Sequence, residues 1–96
     1  MSIEDLLRHK RHEILQIAEK HGAGNVRVFG SCARQEANAD SDIDLLIELD
    51  ANRSLLDQVA LKQELEELLD LSVDVVVEGG ISPHLEQRIL AEAVPL

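Results

Sequence analysis

Aromatic side chains are nearly absent from this chain. Phe29 is the only ring among 96 residues, so the core has to be built from Leu, Ile and Val, with Phe29 itself expected inside it. Basic charge is scarce too. Nine Lys and Arg against nineteen Asp and Glu give a formal charge of −10, which repels a phosphate backbone and leaves no basic footprint of the usual nucleic-acid-binding kind. Direct nucleic-acid binding is therefore not expected. The single cysteine, Cys32, excludes an intramolecular disulfide and a cysteine-rich zinc site. No run approaches the ~18–20 apolar residues that span a bilayer, and the opening MSIEDLLRHKRHEI lacks a secretory apolar stretch. A cytoplasmic protein with no membrane partner is the expectation.

What is present suffices for one domain over residues 1–96. A chain of this size buries roughly 60–65% of the surface it exposes when unfolded, and a hydrophobic fraction of 45% argues against disorder. Residues 2–21 read as a helix, with Ile3, Leu6, Leu7, Ile14, Ile17 and Ala18 at helical spacing and Gly22 and Gly24 ending it. Within it, RHKRH at residues 8–12 is the one dense basic cluster, read as a solvated face. Val26 to Phe29 reads as a strand that stops at Gly30. One or two helical turns are expected at 31–36, then a strand from Asp42 to Leu49.

A third helix is expected from Ser54 to about Leu69, opened by Ser54 with Asp57 three residues later and carrying Leu55, Leu56, Val59, Leu65, Leu68 and Leu69. Ser72 to Val77 reads as a third strand. Ser82-Pro83 opens a last helix to Ala93 with Leu85, Ile89 and Leu90 as its buried stripe, and Pro95 closes it. His84 falls in its first turn, at the surface. The order predicts an α/β fold, a small mixed sheet of three or more strands packed against about four helices.

The stretch FGSCARQEANADSDIDL, residues 29–45, carries the chemistry. In a strand, Asp42 and Asp44 project from one face with their Cα atoms roughly 6.6 Å apart. Two anions so close repel unless a cation lies between them or one takes a proton. Hard oxygen ligands in that arrangement suit Mg²⁺, which binds through one or two carboxylates together with phosphate oxygens. Gly30-Ser31, between a strand and a helix start, can aim backbone N–H groups and a hydroxyl at an anion, though a lone Gly-Ser also serves as a plain turn and cap. Asp74, in the apolar run SVDVVV, is expensive to bury unless paired or metal-bound; an edge strand facing water is the alternative. If the three strands are neighbours, these groups converge on a metal-dependent phosphoryl or nucleotidyl transfer site, two metals stabilising the attacking and leaving oxygens. Asp74 is then a further ligand or the base for the attacking hydroxyl.

The ordered set G-S-x-x-R, S-D-I-D-L and a later strand aspartate resembles the minimal nucleotidyltransferase (MNT) branch of the DNA polymerase beta-like superfamily, over nearly the whole chain. The resemblance implies the polymerase beta-like nucleotidyltransferase core. It places Asp42, Asp44 and Asp74 at the catalytic and metal-binding positions and implies two Mg²⁺ ions. Gly30 and Ser31 fall at the phosphate-binding positions, and Arg34 at a frequent family arginine grouped with them as nucleotide-binding. Members of the branch act as antitoxins to a helical HEPN ribonuclease toxin. The implied activity is therefore transfer of AMP from ATP to a tyrosine hydroxyl of a cognate HEPN toxin, in a hetero-oligomer with it.

The chain departs from the family at Gln35, where glycine is common; glutamine enters positive φ less readily, so the loop before Asp42 is expected to differ in shape. Cys32, with no base assigned beside it, is read as a packing residue. With Phe29 placed in the core, no ring remains to stack on a base, which predicts weak base discrimination. Two other readings remain open: an acidic antitoxin that neutralises the toxin by occlusion without catalysis, and nucleotidyl transfer to a small molecule.

Overall fold

The computed structural model describes residues 3–30, 33 and 42–96. Its elements are α1 (Ile3–Lys20), β1 (Ala23–Phe29), β2 (Ile43–Leu49), α2 (Leu55–Leu69), β3 (Val73–Val77), α3 (Pro83–Glu92) and β4 (Val94–Pro95). The four strands form one mixed sheet in the order β3-β2-β1-β4. β1 and β2 are antiparallel, β2 and β3 parallel, and β4 lies antiparallel to β1. The α/β architecture and the mixed sheet are as the sequence predicts. Three helices occur among the described residues, and the helical turns expected at 31–36 lie outside them except for Ala33.

Strand alternation divides the sheet into two unlike faces. Ile43, Leu45 and Ile47 of β2, Val26 and Val28 of β1, and Val73 and Val75 of β3 are buried in one aliphatic core with α1 and α2. α1 contributes Ile3, Leu7, Ile14 and Ala18, and α2 contributes Leu61, Leu65 and Leu69, both sets at helical spacing. Burying each such Leu, Ile or Val fully stabilises the fold by about 1.5–3 kcal/mol relative to leaving it exposed. Leu55, Leu56 and Val59, expected in the α2 stripe, are instead exposed: Leu56 and Val59 sit on the side of the helix away from the Leu61-Leu65-Leu69 line, and Leu55 is the first residue of the helix.

The local signals for α2 hold in detail. Ser54 Oγ accepts the Leu56 N–H at 3.2 Å while the Ser54 N–H donates to Asp57 Oδ2 at 3.0 Å, a reciprocal capping box. At the other end Asp70 takes a left-handed conformation, φ 55°, and its N–H reaches Glu66 O at 2.8 Å. Glu66 also ties helix to strand: its Oε2 accepts the Val73 N–H at 3.0 Å and Lys62 Nζ at 3.0 Å.

Gly22, at φ 75°, closes α1, but Gly24 lies within β1 and ends nothing. The pairing of β1 with β2 shifts register between Gly24 and Arg27, around Asn25 at φ 46°. The basic cluster is solvated: Arg8 pairs loosely with Asp5 at 3.9 Å, Lys10 with Glu13 at 3.8 Å, and Arg11 Nε reaches the Leu96 carbonyl at 2.8 Å. β4 was not visible in the sequence. Its two residues pair with Arg27 and Val28 at the sheet edge, where the missing N–H of Pro95 is tolerated.

Candidate active site

The second face of the sheet is where the carboxylates meet. Asp44 and Asp74 are register partners across the parallel β2-β3 pair, which places their Cα atoms about 4.8 Å apart with both side chains on one face. Asp44 is also paired across the antiparallel β1-β2 ladder with Phe29. Gly30 follows directly, at φ 72°, and a Cβ added there would fall on the Asp44 carboxylate. The turn after β1 is thus drawn tight over Asp44, which only a residue without a side chain allows.

Burial pushes the Asp44 carboxyl up from its usual range, and the nearby charges of Asp74 and Asp42, a hydrogen bond with Asp74, and the charge of Glu92 push it further the same way. The shift is that of a carboxyl set among like charges and partly removed from water. Asp42 stands exposed immediately before β2. Asp74 is exposed as well, because β3 is an edge strand, which corrects the expectation of a buried aspartate. Its cost is relieved by water, yet it still flanks Asp44. Among the described residues no group of three His, Cys, Asp or Glu side chains is already closed into a metal-ready set. What the fold brings together is the Asp44-Asp74 pair, with Asp42 and Glu92 close enough for their charges to act on Asp44.

A cleft of about 580 Å³ opens over this pair, within the range of small-ligand sites. Gly30, Asp44 and Asp74 are among its floor residues, and α3 forms a wall. Leu85, Arg88, Ile89 and Glu92 face it from one stripe of α3 at helical spacing, and Ile81 lines it from just before the helix. Ile89 is buried at 7% exposure, but Leu85 (46%) and Leu90 (40%) are not, so the expected buried stripe of α3 is for the most part a cleft wall. Phe29 lines the cleft too, which corrects its assignment to the core: alternation sends Val26 and Val28 inward and Phe29 to the site face. Further along that face Arg27 is held by Glu78 at 3.3 Å and is committed to it.

Ser31, Cys32, Arg34 and Gln35 lie outside the described residues. Arg88 and Glu92 are site-facing residues that sequence reasoning missed. Their only sequence signal is that they share a helical stripe with Leu85, and nothing local shows that this stripe faces the carboxylates.

Comparison with known proteins agrees with this geometry. Residues 11–96 match the nucleotidyltransferase domain family. A candidate protein adenylyltransferase of Methanocaldococcus jannaschii is 47% identical over 94 residues, 98% of this chain and 97% of its own. The protein adenylyltransferase MntA of Thermococcus cleftensis is 37% identical over 93 residues, 96% of this chain and 90% of its own. Among solved structures, that of a candidate minimal nucleotidyltransferase superposes with a TM-score of 0.89 at 48% identity, covering 100% of this chain and 97% of the other. A tri-AMPylated HEPN toxin in complex with its MNT antitoxin, from Shewanella oneidensis, shares the fold at a TM-score of 0.71 and 20% identity, covering 92% of this chain and 69% of the other. The chain belongs to the nucleotidyltransferase family, in its minimal branch.

Proposed function

We propose that this chain is a Mg²⁺-dependent protein adenylyltransferase that acts as an antitoxin, moving AMP from ATP to a tyrosine hydroxyl of a cognate HEPN ribonuclease toxin. The observation that carries the reading is the pairing of Asp44 with Asp74 under a nucleotide-sized cleft. The relatives named as protein adenylyltransferases support the reaction class. The AMPylated toxin complex, which shares the fold, supports the partner.

The residues fit a hard divalent cation. Asp44 and Asp74 offer neighbouring carboxylate oxygens, Asp42 stands at the head of the same strand, and burial and like charges raise the Asp44 carboxyl, a setting that a hard divalent cation would relieve. Asp42, Asp44 and Asp74 would hold Mg²⁺, two ions in the family's manner, which would supply charge neutralisation at the transferring phosphate. Asp74, the more exposed of the adjacent pair, would accept the proton of an incoming hydroxyl in this reading. Gly30 lets the backbone approach Asp44, and in this reading Ser31 and Arg34 bind the nucleotide. Phe29 offers the chain's one aromatic face to that cleft. Base discrimination by the isolated chain, unexpected for a core phenylalanine, then becomes its natural consequence.

The deciding experiment is an Asp42→Asn/Asp44→Asn double variant assayed for neutralisation of the toxin and for nucleotide transfer. The reading expects both to be lost while binding to the partner is retained. Full neutralisation without transfer would instead establish an antitoxin that works by occlusion.

A further inference from the structure

We propose that Arg88 is the residue by which α3 holds the phosphate chain of the nucleotide donor; the inference rests on the nucleotidyl-transfer reading given above. Among the described residues two cations line the cleft, Lys62 and Arg88. Lys62 is already committed, its Nζ lying 3.0 Å from Glu66 Oε2 and donating to Val73 O at 2.8 Å. Arg88 makes no ion pair or hydrogen bond with any described residue. That is unusual where Asp44, Asp74 and Glu92 line the same cleft and the whole chain carries a formal charge of −10.

Glu92 sits one turn along the same helix, in the i,i+4 position that favours an ion pair, and Arg88 does not take it. An arginine that takes no partner among the described residues, above an acidic floor, supplies what a polyanionic ligand needs there, since carboxylates alone would repel it. The chemistry favours phosphate over other anions. The guanidinium is always charged and presents a planar fork of N–H donors that grips two phosphate oxygens at once. Leu85 and Ile89 flank Arg88 on the cleft side of α3 and hold its stem beside apolar surface. Arg88 is therefore a donor-binding residue supplied by the last helix, on the wall facing the Gly30 turn.

The test is calorimetric titration of wild type, Arg88→Ala and Arg88→Lys with Mg·ATP and with inorganic tripolyphosphate. Arg88→Ala is expected to bind both about tenfold or more weakly, the loss of a charge-assisted hydrogen-bonded contact. Arg88→Lys should recover part of the affinity as a point charge without the fork, and melting temperatures should match because Arg88 is exposed. Three results would overturn the inference: Arg88→Ala binding ATP as wild type does, weaker ATP binding with tripolyphosphate unaffected, or loss of toxin binding in its place. Wild type that binds neither probe would remove the nucleotide reading itself; wild-type binding undiminished in Arg88→Ala removes this inference alone.

Discussion

Gly30 and Asp44 occupy a shared volume: the position a Cβ would take on Gly30 is filled by the Asp44 carboxylate. Gly30 also lies at φ 72°, where an L-residue costs about 1–2 kcal/mol. Gly30→Ala is therefore expected to do two separable things. It should lower the melting temperature by several degrees, at about 4–8 °C per kcal/mol for a domain of this size. It should also displace Asp44 and cut transfer roughly a hundredfold even where the variant is fully folded, since displacing a reacting group by an ångström costs that much. Circular dichroism melting alongside single-turnover rates separates the two; a folded variant with undiminished rate would show that Asp44 does not need this approach.

Asp44→Asn tests the anionic cluster. Burial and the charges of Asp74, Asp42 and Glu92 all raise the Asp44 carboxyl. An acid whose folded pKa is raised stabilises the fold below its unfolded pKa and loses that contribution as pH rises through the folded one. At neutral pH the metal-free protein therefore carries strain that asparagine relieves. The cluster is partly solvated and screened, so the gain should be only about 0.5 kcal/mol, or about 2–4 °C in melting temperature. Wild type is expected to gain melting temperature with Mg²⁺ or Mn²⁺ and nucleotide, and the same variant to lose that gain. Scanning fluorimetry with and without metal checks both signs.

Glu66 gives the opposite pH dependence. The Val73 N–H, and then Lys62, hold its carboxyl below the usual range. An acid lowered in the folded state stabilises above its unfolded pKa, and the contribution disappears as pH falls through the folded value. Glu66→Ala should thus melt lower than wild type at pH 7, and the two curves should converge in acid below pH about 4. A gap that persists at low pH would assign the loss to packing and not to the charge.

The α2 cap should be separable from function. Ser54→Ala removes one half of the reciprocal box with Asp57, at a cost of about 1 kcal/mol. Urea unfolding should show that loss with an unchanged m-value, and nucleotide transfer should be unaffected.

The parts of the molecule legible in the sequence are those governed by neighbours along the chain. Ser54 and Asp57 announce the start of α2, and apolar alternation announces β1, β2 and β3. Asp44 and Asp74 could be named as partners because an acid in each of two apolar strands needs a shared reason. What escaped notice depends on pairing across long separations. β4 exists only because Val94 and Pro95 meet Val28 and Arg27. Phe29 was placed in the core by its chemistry, when alternation with the buried Val28 sends it to the cleft. Leu85 falls in the expected buried stripe of α3 by its spacing with Ile89 and Leu90, and Arg88 and Glu92 become site residues only once α3 folds over the second face of the sheet. Amphipathic spacing shows that a helix has a face, not what that face meets.

The central claim is that this chain transfers nucleotide to a protein hydroxyl, and intact-mass measurement of the cognate HEPN toxin tests it most directly. After incubation with this chain, ATP and Mg²⁺, the toxin is predicted to gain one or more AMP units. It should gain none with the Asp42→Asn/Asp44→Asn variant. A toxin neutralised by wild type yet unchanged in mass would contradict the account.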